Sequence, residues 1–297
     1  MKRLGRGLTV VVLALGLGLS AASAETPALF AQIGPAESSY ADPLPATIEV
    51  SSYAPPACAA KPCPLLIAIH GMGRNAKGAR DAWKAAADQA GFLVLAPRFD
   101  NDQFPSRLFQ QGGVRGEPDK AKWTFGLIER LFDTARARGR VAGNSYTIFG
   151  HSAGAQFVHR MVMLMPEARI ATAAVANAGY YTLPALTGES GARAYPYSLK
   201  GTPAADATLA RALAKPMLVM LGDQDIDPNH HQLNKSRGAE DQGPTRFARG
   251  QHFMATATDE ARRLGVALRW REVDVPGVAH QQSGMAKAAA AELFGSR

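Results

Sequence analysis

Cysteine is nearly absent from this chain. Only Cys58 and Cys63 occur in 297 residues, five positions apart with Pro62 between them. Metal ligation by this pair would need further Cys or His nearby, and the closest, His70, has another use below. In an oxidising compartment the spacing reads as a small disulfide loop, a staple contributing about 2 kcal/mol in the chain-entropy model. Long apolar runs are also absent beyond the N-terminus, so no later segment is apolar enough to cross a bilayer. Clusters of Lys and Arg, internal repeats and low-complexity linkers are missing as well. The formal charge of +8 therefore comes with no nucleic-acid motif and points to no nucleic-acid partner.

What the N-terminus does contain is a three-part export pattern. Lys2, Arg3 and Arg6 precede an apolar run over residues 8–19, and Ala22-Ser23-Ala24 offers small residues for cleavage before Glu25. Residues 1–24 read as a secretory signal, because the run is too short for a comfortable membrane span. An uncleaved anchor is the alternative. Removal takes three basic residues and leaves +5. The mature protein is expected to be periplasmic or secreted, with no stable membrane insertion.

Residues 25–45, rich in Pro and Ala, read as an extended arm, and residues 46–297 as one α/β domain. Expected strands are 46–50, 64–70 (PLLIAIH), 91–97 (GFLVLAP), 145–149 (SYTIF), 170–177 (IATAAVAN), 216–221 (PMLVML) and 268–275 (LRWREVDV). The middle five are almost continuously apolar, as strands buried on both faces are. Helical patterns cover 76–90, with Asn75 as cap and Gly91 as stop, then 122–138, 153–165, 245–264 and 285–294. The alternation predicts a mostly parallel sheet with helices on both faces. Two connections, 98–114 and 180–215, are too long for simple turns and begin where ligands bind in such sheets.

Gly150-His151-Ser152-Ala153-Gly154 fits G-x-S-x-G directly between the strand SYTIF and a helical pattern. That is the setting of a nucleophile elbow, whose glycines admit a turn too tight for Cβ atoms and leave the serine hydroxyl exposed. A serine hydroxyl needs a base, and the base an orienting acid. Three candidate acids, Asp223, Asp225 and Asp227, follow PMLVML. His280 is the only histidine in a loop after the last strand. For the oxyanion, one donor is expected from the amide of Ala153, at its helix N-terminus. The second is expected from Met72, in the turn His70-Gly71-Met72-Gly73, with His70 holding that loop. Asp225, Asp227, His230 and His231 also admit a metal reading, but their spacing matches no metal signature.

HGMG, GHSAG, GDQD and VPGVAH, in that order, resemble the α/β-hydrolase superfamily over nearly the whole mature chain. HGMGRN with GHSAG downstream is most similar to the exported polyhydroxybutyrate-depolymerase and feruloyl-esterase-like branch. The resemblance implies an α/β-hydrolase fold with a small cap or long loop after Asn177. It also implies carboxylic ester hydrolysis through an acyl-enzyme, with neither cofactor nor metal. It places the acid three residues after the glycine that ends the strand, hence Asp225, with Asp227 second. The expected substrate is a small or oligomeric ester. Tyr180, Tyr181, Tyr195 and Tyr197 in one long loop, and Phe104, Leu108 and Phe109 in the other, suggest an aromatic rim over an apolar acyl pocket, with Tyr180, Tyr181 and Phe104 as substrate contacts. A serine peptidase, a silent binding protein on the same scaffold, and acyl transfer are the competing readings.

Overall fold

The structure is a computed structural model that describes residues 29–30, 32–44, 46–186 and 193–295. The expected signal, residues 1–24, lies outside the described residues. The strands are β1 (Gly34–Asp42), β2 (Ala46–Ala54), β3 (Leu65–Ile69), β4 (Leu93–Pro97), β5 (Tyr146–His151), β6 (Ile170–Ala176), β7 (Met217–Gly222) and β8 (Trp270–Val275). The α-helices are α1 (Ala76–Asp81), α2 (Lys84–Ala90), α3 (Phe125–Ala137), α4 (Ala153–Leu164), α5 (Asp206–Leu213), α6 (Arg237–Glu240), α7 (Arg246–Leu264) and α8 (Gln282–Phe294).

The strands form one sheet in the order β1-β2-β4-β3-β5-β6-β7-β8, antiparallel through β1, β2 and β4 and parallel from there on. Alternation along the strands divides their side chains between two cores. Leu65, Ile67 and Ile69 join the first core with Leu131, Phe157 and Phe253 from α3, α4 and α7. Leu66 and Ala68 face the second, with Ala79, Ala87 and Met285 from α1, α2 and α8. Helices therefore cover both faces, which is why the inner strands are apolar without interruption.

Two expectations need correction. The arm expected over 25–45 is, from Gly34 to Asp42, an edge strand paired along its length with β2. Its inward positions include Ser38 and Asp42, so hydrophobicity gave no period-2 signal; Asp42 is neutralised by Arg130 at 2.8 Å. The helix expected over 76–90 is two helices. Trp83 sits at the break, buried, with its ring 5.0 Å from that of Phe149. The ends do hold: Asn75 accepts from Gly78 N and Gly91 closes α2 at φ 71°.

The carboxyl ends of β3, β5, β6, β7 and β8 lie along one edge. From it emerge the turn 70–73, Ser152, Asn177, the turn 223–225 and the loop carrying His280. The Cys58–Cys63 disulfide, Cα–Cα 5.7 Å, closes the segment just before β3.

Candidate active site

Ser152 sits between β5 and α4 at φ 57° and ψ −114°, a backbone region that L-residues avoid. The surrounding chain enforces it. A Cβ on Gly150 would lie 2.2 Å from the Gly154 carbonyl oxygen, and one on Gly154 would lie 2.2 Å from that of Ile69. Only glycine fits at either position, so strand, turn and helix close tightly and push Ser152 outward.

Three residues far apart in sequence meet there. His280 Nε2 is 3.0 Å from Ser152 Oγ, and His280 Nδ1 is 2.7 Å from Asp225 Oδ2. Asp225 is buried, and its second oxygen accepts from Arg246 Nη1 at 2.9 Å. Burial alone would raise the Asp225 pKa. The hydrogen bond and charge of His280, with Arg246, outweigh it and hold the carboxyl below its ordinary value. An ionised Asp225 selects the Nδ1–H tautomer of His280, leaving Nε2 free to accept the Ser152 proton.

The other acids take different places. Asp223 Oδ1 accepts from Gly277 N at 2.8 Å and ties its turn to the His280 loop. Asp227 is exposed and caps its own turn, accepting from Asn229 N at 2.8 Å. His230 rests against Arg246, Nδ1 to Nη2 at 3.2 Å. Among the described residues, no three of His, Cys, Asp and Glu converge as a metal ion would require.

The turn after β3 reaches the same point. A Cβ on Gly71 would stand 3.6 Å from Ser152 Cβ. Among the described residues, neither the Met72 nor the Ala153 amide has an intramolecular acceptor, so both are available beside Ser152. His70 holds the turn: its Nδ1–H donates to Gly71 O at 2.9 Å and its Nε2 accepts from Phe99 N at 3.0 Å. Burial pushes its pKa down to about 4, which keeps this neutral tautomer.

Ser152 opens into a cavity of about 680 Å³. Tyr180, Tyr195 and Tyr197 line it, and so does Met72, which is 44% exposed. Two expected contacts do not reach it. Tyr181 is fully buried, stacked on Phe253 with centroids 4.6 Å apart, and Phe104 packs edge-on against Phe99 at 5.1 Å. Both side chains turn inward from their loops and join the core. The pocket is mixed rather than simply apolar: beside the tyrosines, Met72 and Pro196, it is lined by Gln110, Gln156, Asn234, Arg115 and Arg193.

Three positions escaped the sequence reading. Asn177, at φ 49°, accepts from Gly222 N at 2.8 Å and donates to Ala279 O at 3.0 Å, joining β6 to the acid and base loops. Its place at a strand end was the only available signal. Arg246 and Arg160 gave none, because buried arginines look like surface ones in a sequence.

No protein-family model matches the chain, and no curated protein matches it in sequence. Solved structures do. Poly(aspartic acid) hydrolase-1 from Sphingomonas sp. KT-1 is 36% identical, with TM-score 0.82 over 89% of this chain and 100% of that one. LpqC, a poly(3-hydroxybutyrate) depolymerase from Bordetella parapertussis, is 31% identical, with TM-score 0.82 over 90% of this chain and 92% of that one. An S-formylglutathione hydrolase from Agrobacterium tumefaciens, 16% identical, shares the fold at TM-score 0.59 over 88% of this chain and 94% of that one. The chain belongs to the α/β-hydrolase superfamily and is a serine hydrolase of its depolymerase- and esterase-like branch.

Proposed function

We propose that the protein is an exported enzyme that cleaves carboxylic esters through an acyl-enzyme, with Ser152 as nucleophile, His280 as base and Asp225 as orienting acid. The observation that carries this is the unbroken hydrogen-bonded chain from Ser152 Oγ through His280 to buried Asp225, at the mouth of a cavity. Ser152 Oγ attacks the ester carbonyl carbon while His280 Nε2 takes its proton. The carbonyl oxygen becomes an oxyanion and accepts from the amides of Met72 and Ala153. Collapse expels the alcohol, which receives the proton held on His280. Water, deprotonated by His280, then attacks the acyl-enzyme, releases the acid and restores Ser152. Asp225 stabilises the imidazolium formed in each half-reaction without being protonated.

Two relatives are named for polymer hydrolysis, which supports an oligomeric or polymeric substrate beside small esters. The Cys58–Cys63 disulfide supports an oxidising compartment, the periplasm or the medium. The test is hydrolysis of a chain-length series of p-nitrophenyl esters by wild type, Ser152→Ala and His280→Ala. Turnover by wild type, reduced by about a thousandfold or more in both variants, is expected. Near-wild-type rates in either variant would sink the assignment.

A further inference from the structure

Resting on that assignment of Ser152, we propose that the enzyme selects ester substrates carrying negative charge near the scissile bond, and that buried Arg160 sets this selectivity. No Asp or Glu lines the cavity among the described residues, whereas two arginines do. Arg193 is partly offset by Asp241 at 2.5 Å. Arg115 is exposed and has no carboxylate within ion-pair distance among the described residues. The polar side chains of Gln110, Gln156 and Asn234 add amide donors suited to a carboxylate.

Arg160 stands one layer behind that wall on α4, with 0% of its surface exposed. Its Nε donates to Thr182 Oγ1 at 2.7 Å, and its Nη1 to Gln110 O at 2.9 Å and Gln156 Oε1 at 3.2 Å. Nη2 reaches Pro196 O at 3.4 Å, and the guanidinium lies 4.9 Å from the centre of the Tyr180 ring. Every one of these acceptors is neutral, and no carboxylate lies within 4 Å among the described residues. Carbonyls and hydroxyls solvate the charge but leave it uncancelled, and a full charge in a low-dielectric interior acts over longer distances than one at the surface. Gln110, Gln156, Pro196 and Tyr180 all line the cavity. The group that fixes the wall thus also makes it positive. A carboxylate in the cavity would relieve the cost of burying Arg160, and a neutral chain of the same length would not.

A matched pair of esters tests this: p-nitrophenyl hexanoate, which is neutral, and mono-p-nitrophenyl adipate, which differs in ending in a carboxylate. At low salt the wild type is expected to favour the adipate in kcat/KM by about tenfold or more, mainly through KM. Arg160→Met should remove most of that preference and Arg160→Lys retain part of it. Arg115→Gln should lower it by roughly threefold, a difference that added NaCl erases because Arg115 is exposed. Equal losses on both esters in Arg160→Met would show a merely structural residue and overturn its role in selectivity. If Arg160→Met does not fold, Arg115→Gln and the wild-type salt series still decide the charge preference. Turnover of the hexanoate with no preference for the adipate overturns the inference alone. Turnover of neither ester, with no fluorophosphonate labelling of Ser152, overturns the hydrolase assignment with it.

Discussion

Arg246 and Asp225 form a buried ion pair, Nη1 to Oδ1 at 2.9 Å, with side chains 1% and 2% exposed. The other Asp225 oxygen is committed to His280, so the arginine fixes the carboxylate that orients the proposed base. Removing one partner of such a pair leaves a charge buried without compensation. Arg246→Met is therefore expected to lose about 3 kcal/mol of stability, read by urea denaturation at neutral pH. Unchanged stability would mean that the pair contributes nothing net.

The choice between the two acids separates cleanly by substitution. Asp225→Asn should lower kcat by about ten-thousandfold, because an amide favours the wrong tautomer of the base. Asp227→Asn changes an exposed turn residue that touches none of the three, and its kcat should stay within about twofold of wild type. The reverse ranking would move the acid to Asp227 and require the loop to rearrange.

Ser152 carries backbone strain that its side chain makes useful. At φ 57° and ψ −114°, Ser and Ala suffer the same Cβ conflict and Gly suffers none. Ser152→Gly and Ser152→Ala should both be inactive. The glycine variant is expected to be the more stable by about 1 kcal/mol, net of its greater unfolded-chain entropy. Equal midpoints in thermal unfolding would show that the elbow holds little strain.

The site was legible where chemistry demands local spacing. GHSAG announces itself because a serine must stand at the centre of one tight turn with a glycine two positions to either side, and the clashes at 2.2 Å show why. Chain order after successive strands marked His280 and three candidate acids, and only the family resemblance singled out Asp225 among them. What stayed hidden depends on long-range packing. Arg160 and Arg246 are exposed in most contexts, and nothing within a few residues of either says that it is buried here. Tyr181 and Phe104 failed for the converse reason: an aromatic residue in a long loop packs into the core as readily as it faces a ligand. In the fold, β1 was missed because Ser38 and Asp42 occupy its inward face and erase the apolar alternation that would mark a strand.

The Cys58–Cys63 bridge braces the entry to β3, the strand that delivers the turn bearing Met72. Cys63 N also donates to Arg140 O at 3.0 Å, and Ala142 N to Cys63 O at 2.8 Å, anchoring the loop to the segment that leads into β5, the strand beside β3. A loop this short should contribute about 2 kcal/mol. Cys58→Ser/Cys63→Ser is expected to lose roughly that amount and to unfold at lower temperature, while dithiothreitol lowers the wild type alone. Equal stability of the double variant and the wild type would show the staple to be thermodynamically idle.

Three buried histidines are expected to weaken the fold in acid. Burial pushes His70 down to about 4 and His151, with a smaller push from His280, down to about 3; burial also holds His159 well below its ordinary value, helped by Arg160. In the unfolded chain each takes up a proton near pH 6.5. Between that pH and about 4 the unfolded state therefore binds up to three protons that the native state refuses. Their contribution to stability is fully present above pH 6.5 and is lost as pH falls towards the folded values. Each such group contributes a slope of roughly 1.4 kcal/mol per pH unit, so the three together approach 4. Asp225, whose folded pKa is lowered, adds its own loss only at still lower pH, as pH falls from its unfolded value through its folded one. Urea denaturation should give nearly constant stability from pH 8 to 7 and a fall of several kcal/mol from pH 6.5 to 5. His159→Gln should flatten that fall by about one third, whatever it costs at pH 7, since glutamine has no proton to gain. A curve level down to pH 4.5 would mean that these rings reach water or find partners when protonated.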